Sequence, residues 1–174
     1  MREDGKTATV WFNGPSARDL YHVKRQPLEI GCNFIEQHRP VDHVCAYDRP
    51  SMEAITQKPN TRYWTRPAML LKDWVAFESP HQSFDSGTLA VVLAQHLGAQ
   101  QIHIIGCDWQ YTNESVFDSD YTWRSYQPKK ASIPKQKLLE RINQSTPVCV
   151  VTDRPWRMAV DFISPSDYLE IITN

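Results

Sequence analysis

The sequence predicts an α/β fold, a doubly wound and mostly parallel sheet with helices on both faces, and three observations lead there. Between residues 7 and 50, three apolar runs each end at a polar residue followed by a helix start. A long helical pattern after Asp85 then runs through Gly98 into a buried apolar strand at Ile102 to Ile105. Strands alternating with helices in this way build a layered parallel sheet, because parallel neighbours must be joined by crossovers. Finally, 174 residues with 41% hydrophobic and 22% charged side chains suffice for one domain, spanning 1–174, whose core needs neither disulfide nor metal.

The elements follow in order. Thr7 to Phe12 is β-branched and aromatic, and stops at the turn formers Asn13-Gly14-Pro15-Ser16, so it reads as a strand entering a tight loop. Ser16 is the expected N-cap of a short helix over Ala17 to Val23, which Pro27 ends. Leu28 to Cys32 is a second strand, followed by Asn33 and one or two helical turns before Pro40. Val41 to Tyr47 is a third, closing on Asp48-Arg49-Pro50. Residues 51–84 carry Pro59, Pro67 and Pro80 with little periodicity, and are expected to form a small irregular lid with one strand at Trp74 to Phe77.

Leu89, Val92, Leu93, His96 and Leu97 recur at helical spacing, and Gly98 is the expected C-cap. The strand Ile102 to Ile105 leads to Gly106-Cys107-Asp108-Trp109. Tyr111 to Lys130, rich in Ser, Asp, Tyr and Trp, reads as a long loop. Ile133 to Ile142 reads as a helix, Pro147 to Val151 as a final parallel strand, and Ser166 to Ile172 as a terminal helix or edge strand.

Composition narrows the function classes. Lys and Arg number 19 against 20 acidic residues, a balance that leaves no broad electrostatic footprint for duplex nucleic acid. The apolar runs fall far short of the ~20 residues needed to span a bilayer, and the polar start lacks a secretory signal, so a cytoplasmic protein is expected. The four cysteines, Cys32, Cys45, Cys107 and Cys149, form no CxxC pair, and read as reduced packing residues. The histidines show no metal-ligand spacing, so no metal site is expected.

In a parallel sheet, ligands sit at the carboxyl ends of the strands. Asn13, Gly14, Pro15 and Ser16 are therefore a candidate anion cradle, although an ordinary strand-to-helix turn explains them as well. Neither G-x-G-x-x-G nor G-x-x-x-x-G-K-[ST] occurs. Asn33 and Asp48 end neighbouring strands and are expected to face the same crevice, with helix capping as the alternative. Ser86 and Gly87, with the Thr88 hydroxyl, form a second candidate cradle, and Asp85 reads as either a member of it or the helix cap. Asp108 closes the crevice from the far side, and Trp109 offers a stacking face or a core side chain. His81, five residues before Ser86, is a candidate general base.

Taken together, Phe12-Asn13-Gly14-Pro15-Ser16, Cys32-Asn33, Tyr47-Asp48, Ser86-Gly87 before a long helix, and Leu97-Gly98-Ala99-x-x-Ile102 leading to Gly106-Cys107-Asp108-Trp109 resemble the bacterial sialyltransferases that use CMP-sialic acid. The order and rough spacing match over most of the chain. The layout is also similar to uncharacterised sialyltransferase-like proteins and to the archaeal pterin diphosphokinase-like domain. The resemblance implies a Rossmann-like, glycosyltransferase-A-like fold that works without metal or cofactor. A nucleotide or nucleotide sugar, CMP-linked in that family, is the implied substrate. By motif, the nucleotide-holding residues are Asn13, Gly14, Pro15, Ser16, Asn33, Ser86 and Gly87.

The chain also departs from that pattern. Asp48 stands where the family usually shows Asn. The family carries a catalytic His in the loop after the strand that ends at Gly106, and two tyrosines that assist the leaving phosphate; here Tyr111 to Lys137 contains no His. Tyr111, Tyr121 and Tyr126 lie off the motif positions, and Gln82-Ser83-Phe84-Asp85 replaces the family's Arg before Ser-Gly.

The expected activity is transfer from a nucleotide-activated donor by inverting displacement. Gly14, Ser16, Ser86, Gly87 and Arg49 would neutralise the leaving phosphate, and His81, Asp118 or Asp120 would act as base. One alternative is a nucleotide-binding protein that senses or sequesters without turnover. A further alternative is a nucleic-acid-modifying transferase, using the Arg, Trp and Tyr between Arg62 and Trp74 and from Tyr121 to Lys130. Nucleic acid is the less favoured partner.

Overall fold

The computed structural model describes residues 6–108 and 132–173. Eight strands make one sheet: β1 (Thr7–Trp11), β2 (Leu28–Cys32), β3 (His43–Cys45), β4 (Arg62–Thr65), β5 (Val75–Ala76), β6 (Gln101–Ile105), β7 (Val148–Val151) and β8 (Asp161–Ile163). Their order is β5-β4-β3-β2-β1-β6-β7-β8, and every neighbouring pair is parallel. The helices are α1 (Arg49–Ala54), α2 (Ser86–His96), α3 (Ser132–Asn143) and α4 (Pro165–Thr173), with 3-10 turns at Pro15–Leu20, Asn33–Gln37 and Pro67–Met69. This is an α/β, Rossmann-like architecture.

Alternation along each strand sends successive side chains to opposite faces, and both faces are covered. Val10, Ile30, Ile104 and Val150 pack with Leu89 and Leu93 of α2 and Leu139 and Ile142 of α3. On the other face Trp11, Val44, Tyr63 and Ile105 meet Leu20, Ile35, Met52 of α1 and Tyr168 of α4. The sheet winds outward from β1 to β5 through crossovers on that second face. Then α2 carries the chain back across the first face to β6, on the other side of β1. Strand order therefore reverses between β1 and β6, where a crevice opens beyond the strand ends.

The α2 sequence reads as one apolar stripe, yet every residue from Ser86 to Ala94 is buried. The helix is wedged between the sheet and α3, so it is apolar all round. Its N-terminus carries a capping box of Asp85 and Thr88, and the chain leaves it through Gly98 at φ +84°.

Three expectations change. Residues 51–84 do not form an irregular lid with a single strand over Trp74 to Phe77. They supply α1 and two strands, β4 and a β5 confined to Val75–Ala76. Buried Tyr63 against Trp74, and Trp64 against Phe77, hold these short strands in the sheet. A four-residue strand leaves too few positions for its period to be read. The third strand spans only His43–Cys45, not Val41 to Tyr47. The chain's end is the helix α4, preceded by an unexpected edge strand β8.

Glu29 sits fully buried in the middle of β2, which otherwise reads as apolar. Its Oε2 accepts from Trp11 Nε1 at 2.9 Å and Arg39 Nε at 2.7 Å. Oε1 accepts from Arg39 Nη2 at 2.6 Å and the Gln26 amide at 2.8 Å. Arg39 Nη1 also donates to the carbonyls of Tyr21 and Val23. A buried charge survives when each of its hydrogen-bonding sites is met in this way. The cluster fixes the loop that joins β1 to β2. Among the described residues, no helix is long and apolar enough to cross a membrane.

Candidate functional site

The C-terminal ends of β1 and β6 meet at the switch point. Phe12 N donates to Ile105 O at 2.7 Å and Gly14 N to Gly106 O at 2.9 Å, continuing the parallel pairing past both strands. A Cβ on Gly14 would lie 2.3 Å from Gly106 O and 2.4 Å from Asp108 Oδ2, so only glycine fits where the two loops cross. Across this contact Ser16 N donates to Asp108 Oδ2 at 2.9 Å, and Ser16 Oγ donates to Asp108 Oδ1 at 2.7 Å.

This arrangement corrects the capping expectation for Ser16. The 3-10 turn begins at Pro15, whose missing N–H and fixed φ suit the first position, and Gly14 is its cap residue. Ser16 lies inside the turn, with its amide and hydroxyl turned to Asp108. The carboxylate occupies the donors that an external anion would use. Two further lone-pair positions remain on its oxygens.

The second half of the site joins β2, β3 and α2. Asn33 adopts φ +52°, a left-handed conformation that Asn tolerates better than most residues. Its Oδ1 accepts from Ser86 Oγ at 2.9 Å, and Ser86 Oγ accepts from Tyr47 N at 3.1 Å. Asn33 and Ser86 are both buried. A Cβ on Gly87 would stand 2.8 Å from the Phe12 ring, so the missing side chain lets α2 seat against the end of β1. Asn13, beside Phe12, is half-buried.

Other expected members are engaged elsewhere. Asp48 caps α1, accepting from Ser51 N at 2.9 Å and Ser51 Oγ at 3.0 Å, which is the capping alternative and not a ligand-facing arrangement. The Thr88 hydroxyl is fully buried within the capping box and is not offered to a ligand. Asp85 also pairs with Lys135 Nζ at 2.6 Å, tying α3 to the start of α2. Arg49 is exposed and pairs with Glu53. His81 is half-buried in the segment before α2, where its backbone amide and carbonyl both bond the Ser79 hydroxyl. Trp109, Asp118 and Asp120 lie outside the described residues. Trp64 and Trp74 are core side chains, so their faces are not platforms for nucleobases.

The cysteines behave as packing residues. All four are buried and free, and burial raises each thiol above its ordinary range, keeping it protonated. For Cys107 the neighbouring Asp108 and Asp85 charges add to the effect of burial.

Tyr47, quoted above only within a motif, and Arg66, one of the arginines of the nucleic-acid alternative, take a further place here. Tyr47 is pinned at both ends, its amide to Ser86 and its Oη donating to Ser83 O at 2.8 Å. Arg66, the first residue after β4, lays its guanidinium carbon 4.2 Å from the centre of the Tyr47 ring. A position immediately after a parallel strand is the signal that finds Arg66, once β4 is known to be a strand.

No family model matches the chain. Comparison with curated proteins and with solved structures likewise finds no match. The chemistry of the rim is therefore the guide to function. It offers a carboxylate beside a hydroxyl at the switch point, a carboxamide–hydroxyl pair at the start of α2, and a stacked cation farther out.

Proposed function

We propose that this protein is a metal-independent transferase acting on a nucleotide-activated donor, a nucleotide sugar, bound at the C-terminal rim of the sheet. One observation carries the reading. Segments far apart in the chain, ending β1, β2 and β6 and starting α2, are joined at the one edge where strand order reverses, through Ser16–Asp108 and Asn33–Ser86. Asp108, which already accepts from one hydroxyl, is suited to a ribose diol. Asn33 and Ser86 offer neutral donors and acceptors, and the N-terminal end of α2 favours the leaving phosphate. His81 is the base to test within the described residues, with Asp118 and Asp120 beyond them.

The resemblance to sialyltransferase-like proteins in the motifs around these residues supports the same donor class. The test is incubation of the purified protein with a panel of nucleotide sugars in the presence of EDTA, scoring transfer or donor hydrolysis. Turnover that disappears in Ser86→Ala, with the melting temperature checked in parallel, supports the proposal. A folded protein that binds no nucleotide sugar and turns over none overturns it.

One observation favours a second reading, nucleotide binding without turnover. The Asp108 carboxylate fills the amide of Ser16, the place expected to meet a phosphate. Calorimetric binding with complete recovery of intact ligand distinguishes this reading from transfer.

A further inference from the structure

Ion pairs hold several charged side chains of the described residues: Arg25 with Asp42, Arg39 with Glu29, Arg49 with Glu53 and Lys135 with Asp85. Arg66 differs. Among the described residues it takes part in no ion pair, and its Nε is buried without a hydrogen-bond partner. The guanidinium is nonetheless held in place. Pro67 restricts Arg66 to extended backbone, at φ −73° and ψ 151°, directly after β4. The Tyr47 ring lies 4.2 Å below its central carbon, and Tyr47 is anchored by Ser86 and Ser83.

A buried donor of a cation left unmet is costly, and such groups persist where something outside the chain completes them. A flat guanidinium backed by an aromatic ring leaves its fork of N–H donors for a planar or tetrahedral oxyanion. Its position sets which part of a ligand it meets. From β1 to β4 is three strand spacings, roughly 14 Å, so Arg66 stands well away from the Ser16–Asp108 contact.

We propose that Arg66, backed by Tyr47, is the oxyanion-binding residue of this site, and that it takes a carboxylate or phosphate on the part of the substrate remote from the nucleoside. The inference rests on the C-terminal rim being the binding site, and adds that the group transferred, or its acceptor, is anionic. It assigns Arg66 a binding role and no part in bond making.

The experiment titrates the 15N-labelled full chain with glucose, glucuronate and glucose 6-phosphate, three ligands that share a ring and differ in charge. The Arg66 Nε–H resonance is followed by NMR. The expected result is a saturable shift of that resonance with glucuronate, with glucose 6-phosphate, or with both, and none with glucose. Which anion acts identifies the carboxylate or the phosphate source. Arg66→Gln is expected to weaken the effective anion at least about tenfold, and Arg66→Lys, which keeps the charge without the fork, to fall between.

Binding of either anion that is unchanged in Arg66→Gln overturns the proposal. Failure of both anions to bind a protein that does bind nucleotides overturns it as well, while leaving the proposed function standing. Arg66-dependent anion binding in a protein that binds no nucleotide upholds Arg66 and overturns the nucleotide reading instead.

Discussion

Asp108 holds Ser16 twice, through its amide at 2.9 Å and its hydroxyl at 2.7 Å, and so ties the loop after β6 to the loop after β1. The contact spans 92 positions of sequence and lies where the sheet reverses its order. A phosphate seeking the Ser16 amide must first displace a carboxylate. The same carboxylate keeps lone pairs able to accept from hydroxyls, so it disfavours an anion at that amide and is compatible with a neutral hydroxyl.

Asp108→Asn should therefore separate the two roles. It removes a charged acceptor from two bonds, and is expected to cost about 1–3 kcal/mol of stability. Ser16→Ala should cost about 1 kcal/mol, and the double variant less than the sum, since the two residues share one interaction. Urea unfolding of the four proteins gives the coupling. Strict additivity would show that the contact contributes nothing in solution. In a binding assay, Asp108→Asn should weaken a nucleoside more than inorganic phosphate.

Gly14 and Gly98 are glycines for different reasons, and substitution should tell them apart. At Gly14 a Cβ meets the Gly106 carbonyl oxygen at 2.3 Å, a backbone atom that cannot turn aside. At Gly98 a Cβ meets nothing within 4 Å, but the residue sits at φ +84°. Gly14→Ala should lose about 3 kcal/mol or more through forced separation of β1 and β6, against about 1–2 kcal/mol for Gly98→Ala. Equal losses in chemical denaturation would contradict the crossing of the loops.

The parts of the molecule that were legible beforehand are those whose signal is local. Thr7–Trp11, Leu28–Cys32 and Gln101–Ile105 are bounded by turn residues and long enough for their apolar character to show. The sequence places Asn33 and Asp108 after strands of a parallel sheet, Ser16 in the turn that follows β1, and Ser86 at the start of α2. Arg66 is recognisable as a residue that follows a strand only once β4 is known. Four residues, Arg62–Thr65, become a strand only because Trp64 and Tyr63 find partners at Phe77 and Trp74 that local pattern does not reveal. Asp48 and Thr88 show the converse. Both occupy rim positions by sequence, but a carboxylate or hydroxyl at a helix start first satisfies that helix's own amides.

The Glu29–Arg39 pair should be costly to break and cheap to replace. Glu29→Gln leaves a 3% exposed guanidinium without its countercharge. Removing one partner of a buried pair costs about 3–5 kcal/mol. The double variant Glu29→Met with Arg39→Met should recover much of that loss, although the carbonyls of Tyr21 and Val23 then lose their donor. Thermal unfolding of the single and double variants decides. A double variant less stable than either single one would mean that the bonds to those carbonyls outweigh the ion pair.

Acid should weaken the fold through two histidines before the carboxylates titrate. His103 is 2% exposed, its Nδ1 lacks a partner, and its ring meets Tyr168 edge to face at 5.2 Å. His43 Nδ1 accepts from Trp64 Nε1 at 3.0 Å, a bond that requires that nitrogen unprotonated. Burial lowers both below the ordinary 6.5; at His43 the Asp42 charge opposes the shift and Arg62 adds to it. Well above pH 6.5 both are neutral whether the chain is folded or not. Below it the unfolded chain takes up protons that the folded chain resists, so stability falls with pH, by up to about 1.4 kcal/mol per pH unit for each histidine, until the folded-state pKa is passed. His103→Leu should remove its share and flatten the dependence between pH 6.5 and 5, with no matching change above pH 7. Denaturant midpoints measured at half-unit intervals provide the test, and an unchanged slope in this variant would place the acid sensitivity elsewhere.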